Sequence, residues 1–151
     1  DLVDITLQTI DEIKRFKIEP RVALLSHSNF GSVDSSLTRM IQKTVKMLHK
    51  DHPDIIVDGE MQANMALDAD LLKENFPFSK LNGNKANTLI FPTLASASIA
   101  HKLIHEVSDS EVIGPILNGM NKPVHVLRIG SSVNEIVNMI MIAVMDAGKT
   151  Q

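Results

Sequence analysis

Three short apolar stretches recur along this chain with helical spacing between them. They are Arg21–Ser26, with Val-Ala-Leu-Leu in its middle; Asp54–Asp58, built on Ile-Ile-Val and closed by Gly59; and Thr88–Phe91, stopped by Pro92. Apolar runs of this length without strict alternation read as strands buried on both faces. Parallel strands need crossover connections, and crossover helices cover the sheet on both sides. The pattern therefore predicts an α/β fold, a mostly parallel sheet with helices on both faces. Polar loops after the strand ends gather along one edge of such a sheet, where open α/β folds bind ligands.

The intervening stretches fill in the helices. Leu2, Ile5, Thr9, Ile13 and Phe16 follow helical spacing as far as Pro20, with Asp11, Glu12, Lys14, Arg15 and Lys17 on the wet side. Ser32 or Asp34 is placed to cap a helix running to about Lys50. Met61–Asn75 reads as helical in pieces, and Ala95–Val107 as a helix with Ile99, Leu103 and Val107 inward. Val112–Leu117 is expected to be a strand that meets a turn at Asn118-Gly119, and Val124–Leu127 is a second short apolar run after Lys122-Pro123. Gly130-Ser131-Ser132 then opens the last helix, with Ser131 or Ser132 as N-cap and Glu135 available to close a capping box. From Val133 to Met145 that helix is polar only at Asn134, Glu135 and Asn138. A helix apolar all round is expected to be buried all round, at a subdomain or subunit interface or in the centre of a core.

Composition removes several classes of function. With 151 residues, 44% of them hydrophobic, the chain is long enough for one compact domain. No apolar run reaches the ~18 residues of a membrane span, and the N-terminus does not read as a secretory signal. A net charge of −3 with interspersed signs, and an aromatic content of 3% that is all Phe, argue against a nucleic-acid surface. The absence of cysteine excludes disulfides, thiolate metal sites and a cysteine nucleophile. Cytoplasm is the expected compartment. His101 and His105 have the i, i+4 spacing of a zinc pair but no general-base Glu between them and no evident third ligand, so no metal is expected. Gly31 and Gly83 belong to no dinucleotide fingerprint.

The residues themselves leave the candidate chemistry open. A strand feeding a small-residue turn into a helix N-terminus, as at Gly130 and Ser131, is receptive to anions, and it is also an ordinary connection. Ser26-His27-Ser28 brings a histidine between two hydroxyls, although neighbours on extended chain point apart. Asp58 and Glu60 put two carboxylates at a strand end, as either a solvated turn or a catalytic pair.

Four blocks carry a resemblance: Val22-Ala-Leu-Leu-Ser-His-Ser-Asn-Phe-Gly-Ser32, Val57-Asp-Gly-Glu-Met-Gln62, Lys85-Ala-Asn-Thr-Leu-Ile-Phe-Pro92, and the stretch from Gly114 to Ile136. The last resembles G-P-x-L-x-G-L-N-K-P-V-x-D-L-S-R-G-C-S-x-x-D-I of the phosphate acetyl/butyryltransferase, or phosphotransacetylase, family. The variants Ser-His-Ser-Asn-Phe-Gly-Ser and Phe76-Pro-Phe-Ser are most similar to the transferase-like region at the C-terminus of bacterial NADP-dependent malic enzymes. The resemblance implies a two-subdomain fold, in which residues 1–122 form the second α/β subdomain and 123–151 supply a strand and helix that return to a first one. Relatives of about twice this length imply that an N-terminal half is missing and that the chain is a fragment.

The family moves an acetyl group between coenzyme A and phosphate, with an Asp in the final helix as base and an Arg before the Gly as charge donor. Here the family's Ser becomes Arg128, the Arg becomes Ile129, Gly130 is kept, the Cys becomes Ser131 and the Asp becomes Glu135. On an extended segment the one-residue shift would turn Arg128 to the opposite face. Glu135 and Arg128 are thus the catalytic candidates of a degenerate site. Gly130, Ser131, Ser96, Lys102, His27 and Ser28 are candidates for binding acetyl-CoA or CoA. Within Phe91–Lys102, Thr93, Ala95, Ala97, Ser98 and His101 replace more polar or more flexible family residues.

Three functions follow from the resemblance. The first is an acetyl-CoA-sensing regulatory region, not itself catalytic, of a malic enzyme whose remaining N-terminal part holds NADP and a divalent metal and converts malate to pyruvate. The second is an active phosphate acetyltransferase. The third is a non-enzymatic module that forms a homo-oligomer through the C-terminal helix.

Overall fold

The computed structural model describes residues 2–148 apart from 82, 109 and 121. It divides into two compact units, Asp1–Ile99 and Ala100–Gln151. The subdomain boundary expected at 122 falls inside the second unit.

In the first unit, α1 (Leu2–Arg15), β1 (Arg21–Leu25), α2 (Ser36–Asp51), β2 (Ile56–Met61), α3 (Ala63–Leu67), α4 (Ala69–Asn75) and β3 (Thr88–Ile90) follow one another, and α5 (Leu94–Val107) begins. The sheet has the order β2-β1-β3 and every pairing is parallel, Val22 lying opposite Val57 on one side and Thr88 on the other. Successive side chains of a strand point to opposite faces, and the central strand shows the result. Val22 and Leu24 join Ile10, Ile41, Val45, Leu48, Val57 and Ile90 in one core under α1 and α2. Ala23 and Leu25 join Met61, Ala66, Leu72 and Leu81 in the other, under α3 and α4. The expected α/β fold, with a parallel sheet and helices on both faces, is the fold observed.

Local details differ from expectation. α1 buries Thr6 and Ile10 and leans Leu2, Val3 and Leu7 on the core, while Ile5 is turned to solvent. Thr6 is admissible inside because its hydroxyl donates to the Leu2 carbonyl at 2.7 Å. α2 is capped by Ser35 in a reciprocal box with Thr38, not by Ser32 or Asp34; Asp34 pairs instead with Arg39. β2 does not close at Gly59 but runs through Glu60 to Met61. A Cβ on Gly59 would lie 2.6 Å from the Leu24 carbonyl oxygen, so only glycine lets β2 stay this close to β1 here.

The second unit holds the end of α5, a connecting segment and α6 (Val133–Ala147). The strand expected over Val112–Leu117 and the run at Val124–Leu127 reduce to one antiparallel bridge, Ile116 to His125. Gly114 has φ +137° and Pro115 offers no N–H, so extended pairing is interrupted at its start. α6 begins as expected, Ser132 and Glu135 forming the capping box. Its predicted burial on every face is not seen. Met139, Ile142 and Asp146 form one buried stripe, while Val137, Ile140, Met141 and Val144 are exposed. Ile99, Leu103 and Val107 of α5 are likewise exposed, and α5 buries no side chain. Apolar spacing identifies the face that can be buried; whether a neighbour covers it is a separate fact. No helix among the described residues is long and apolar enough to cross a membrane.

Candidate functional site

The first unit contributes the loop from Ser26 to Ser32, at the end of β1. It is lashed to the end of β2 by main-chain bonds from Ser26 to the Met61 carbonyl and from Phe30 to the Glu60 carbonyl. The Gln62 side-chain amide donates to the His27 carbonyl, and its main-chain N–H donates to Asn29 Oδ1 at 2.7 Å. The central group is the carboxylate of Glu60, which is fully buried. Its Oε1 accepts from the Ser28 hydroxyl at 2.9 Å and from the Gly31 N–H at 2.6 Å, and its Oε2 has no hydrogen-bond partner. These bonds hold Phe30 and Gly31 at positive φ, which bends the loop back over the strand.

Ser28 and His27 therefore differ, although both are ligand candidates by sequence. Ser28 is fully buried, and its hydroxyl also accepts from the Val33 N–H at 3.0 Å; its side chain serves the loop rather than facing solvent. His27 is exposed at the tip. Asp58 is not a solvated turn residue. It is buried and accepts from Gly59 N–H, the Ser79 hydroxyl and Lys80 N–H, pinning the 76–81 loop. In the same unit Ser96, partly buried, spends its hydroxyl on the Thr93 carbonyl at 2.8 Å in the first turn of α5.

The second unit brings together Arg128, Gly130, Ser131 and Glu135, around a cleft of about 250 Å³ that His105 and Ile129 also line. Glu135 Oε2 accepts from the Ser132 N–H at 2.7 Å, and the Ser132 hydroxyl accepts from the Glu135 N–H at 3.2 Å. The Arg128 guanidinium donates to Glu135 Oε1 at 3.5 Å. The Ser132 hydrogen bonds hold the Glu135 carboxyl below the usual range, with further help from the charges of Arg128 and His105. The first two amides of α6, on Val133 and Asn134, have no acceptor among the described residues.

One expectation is overturned at this point. Arg128 does not face away from Glu135: the chain turns at Ile129 and Gly130, where Gly130 has φ +92°, and Arg128 meets the helix N-terminus. Ile129 is the side chain thrown outward, at 108% relative exposure. Lys102 is exposed on α5. Among the described residues no three His, Cys, Asp or Glu side chains converge, and His101 and His105 are both exposed. Sequence reasoning passed over Glu60 as an anchor, and also His125 and Asp146, whose Nε2 and Oδ2 lie 3.2 Å apart.

Comparison with known proteins follows the same lines. The family profile described as phosphate acetyl/butaryl transferase matches residues 1–144. The chain is 43% identical over 147 residues to an NADP-dependent malic enzyme of Haemophilus influenzae, covering 97% of this chain and 19% of that protein. It is 35% identical over 148 residues to a phosphate acetyltransferase of Clostridium acetobutylicum, covering 97% of this chain and 44% of the transferase. A crystal structure of a phosphotransacetylase from Streptococcus pyogenes superposes with a TM-score of 0.85 at 32% identity, over 98% of this chain and 44% of that one. The chain thus spans about a fifth of the malic enzyme and under half of the transferase.

Proposed function

The chain belongs to the phosphate acetyl/butaryl transferase family, and from that premise we propose that it is the acetyl-CoA-sensing, regulatory region of a cytoplasmic NADP-dependent malic enzyme and does not itself transfer the acetyl group. The observation that carries this reading is the state of Glu135. A general base works best with a pKa near the operating pH, whereas this carboxylate is held low and occupied by Ser132 and Arg128. The side chain in the family's arginine position is Ile129, which has no charge to give a developing oxyanion. Gly130, Ser131 and the unpaired amides of Val133 and Asn134 remain available to an anionic group of CoA, and Lys102 and His27 are exposed and free to meet a ligand. NADP and the divalent metal belong to the remaining part of the parent enzyme, which decarboxylates malate to pyruvate. Acetyl-CoA regulates it by binding two states of the parent with different affinity.

The deciding measurement is a calorimetric titration of the full-length protein with acetyl-CoA, paired with an assay for acetyl-CoA formation from acetyl phosphate and CoA. Binding without turnover is expected, together with a change in malate decarboxylation. Absence of binding rejects the reading. A second reading, an active phosphate acetyltransferase, gains from one observation: Arg128 reaches the same carboxylate that relatives use as a base. It requires turnover that collapses in Glu135→Gln.

A further inference from the structure

α6 carries one buried charged side chain, Asp146, in its last turn. A carboxylate there stands at the negative end of the helix dipole, where a cationic or hydrogen-bonding neighbour is favoured. Across from it stands His125, with Nε2 at 3.2 Å from Asp146 Oδ2 and both side chains largely shielded from solvent. Neither ring nitrogen makes an aligned hydrogen bond, so the contact is the close approach of Nε2 to the carboxylate across the segment.

The pair gains meaning from its distance to the cleft. Glu135 and Asp146 lie at opposite ends of α6, about 16 Å apart at about 1.5 Å of rise per residue. Residues 125 and 128, which reach those two acids, are joined by about 10 Å of extended chain. The segment is therefore a short strap beside the helix, tied at one end by His125 to Asp146 and at the other by Arg128 to Glu135. The Arg128 tie is long, at 3.5 Å, and half exposed, the kind of contact that holds little by itself. Among the described residues its main-chain support is the bridge from His125 to Ile116 and the bond from the Ser131 N–H to the Arg128 carbonyl at 3.1 Å.

We propose that His125 and Asp146 are positioning residues: their contact anchors the strap and so sets where Arg128, Gly130 and Ser131 stand at the N-terminus of α6. The consequence for ligand affinity rests on the reading of that cleft as an acetyl-CoA site. The test uses the full-length protein carrying His125→Gln, Asp146→Asn, both together, and the exchange His125→Asp with Asp146→His. Hydrogen exchange of the 124–132 peptide is followed without ligand, and the acetyl-CoA dissociation constant is measured by calorimetry. Each single variant is expected to speed exchange of 124–132 about tenfold while peptides of β1 stay protected. Each is also expected to weaken acetyl-CoA about fivefold, with the double variant no worse than either single. The exchanged pair is expected to recover most of both losses. Unchanged exchange in both single variants, losses that multiply in the double, or faster exchange with unchanged affinity would each overturn the proposal. Should Asp146→Asn fail to fold, His125→Gln decides. If the unaltered protein binds no acetyl-CoA, it is the ligand reading that fails, and the exchange measurements still judge the anchor.

Discussion

Glu60 shows how far one side chain reaches from a buried position. One of its oxygens satisfies both the Ser28 hydroxyl and the Gly31 amide, and the other satisfies nothing. Glu60→Ala removes the acceptor shared by the buried Ser28 hydroxyl and the Gly31 N–H and is expected to cost about 2 kcal/mol in chemical denaturation. Glu60→Gln keeps the accepting oxygen, leaves the same second atom unpartnered and removes the buried charge, so it is expected to stay within about 1 kcal/mol of the parent. Glu135 calls for a pH experiment. Its carboxyl is held below the ordinary value of 4.5 in the folded chain, so its contribution is complete above that value and is lost as pH falls through the lowered one. The stability difference between the parent and Glu135→Gln should be constant well above the ordinary value of 4.5 and shrink as pH falls below it. Neither residue could be read fully from its neighbours in sequence. Asp58-Gly59-Glu60 shows two carboxylates but not that both point inward, and the facing of Arg128 depends on the turn at Gly130.

The elements were far more legible. Val22 and Leu24, in the run read as a strand buried on both faces, lie in the core, because burial of apolar side chains is what makes such a run. Helix ends were less so. Ser32, Asp34 and Ser35 all have side chains fit to cap, and which one caps α2 is settled by the tethering of the preceding loop. Ser35→Ala removes the acceptor for the Thr38 N–H and should lower stability by about 1 kcal/mol in thermal or chemical unfolding. Val112–Leu117 did not form a strand because pairing needs a neighbour that local sequence does not name.

For the molecule as a whole, the exposed apolar residues of α6 bear on assembly. Ile140 and Val144 are exposed at 55% and 66%, and the homo-oligomer through this helix that the sequence leads us to expect would cover them. Ile140→Asn and Val144→Asn are expected to shift the full-length protein toward smaller species in analytical ultracentrifugation while leaving its melting temperature within a few degrees, about what surface changes produce. A mass unchanged in both variants would place the interface elsewhere.

The central position of β1 has an evolutionary consequence. Because its odd and even residues supply two separate hydrophobic interiors, losing a single codon between Val22 and Leu25 would swap the tenants of both, placing small Ala23 where branched side chains meet α2. Point substitutions there can be absorbed one at a time, but frame-preserving deletions cannot, so related chains should vary in length at their surface turns and keep this strand uninterrupted.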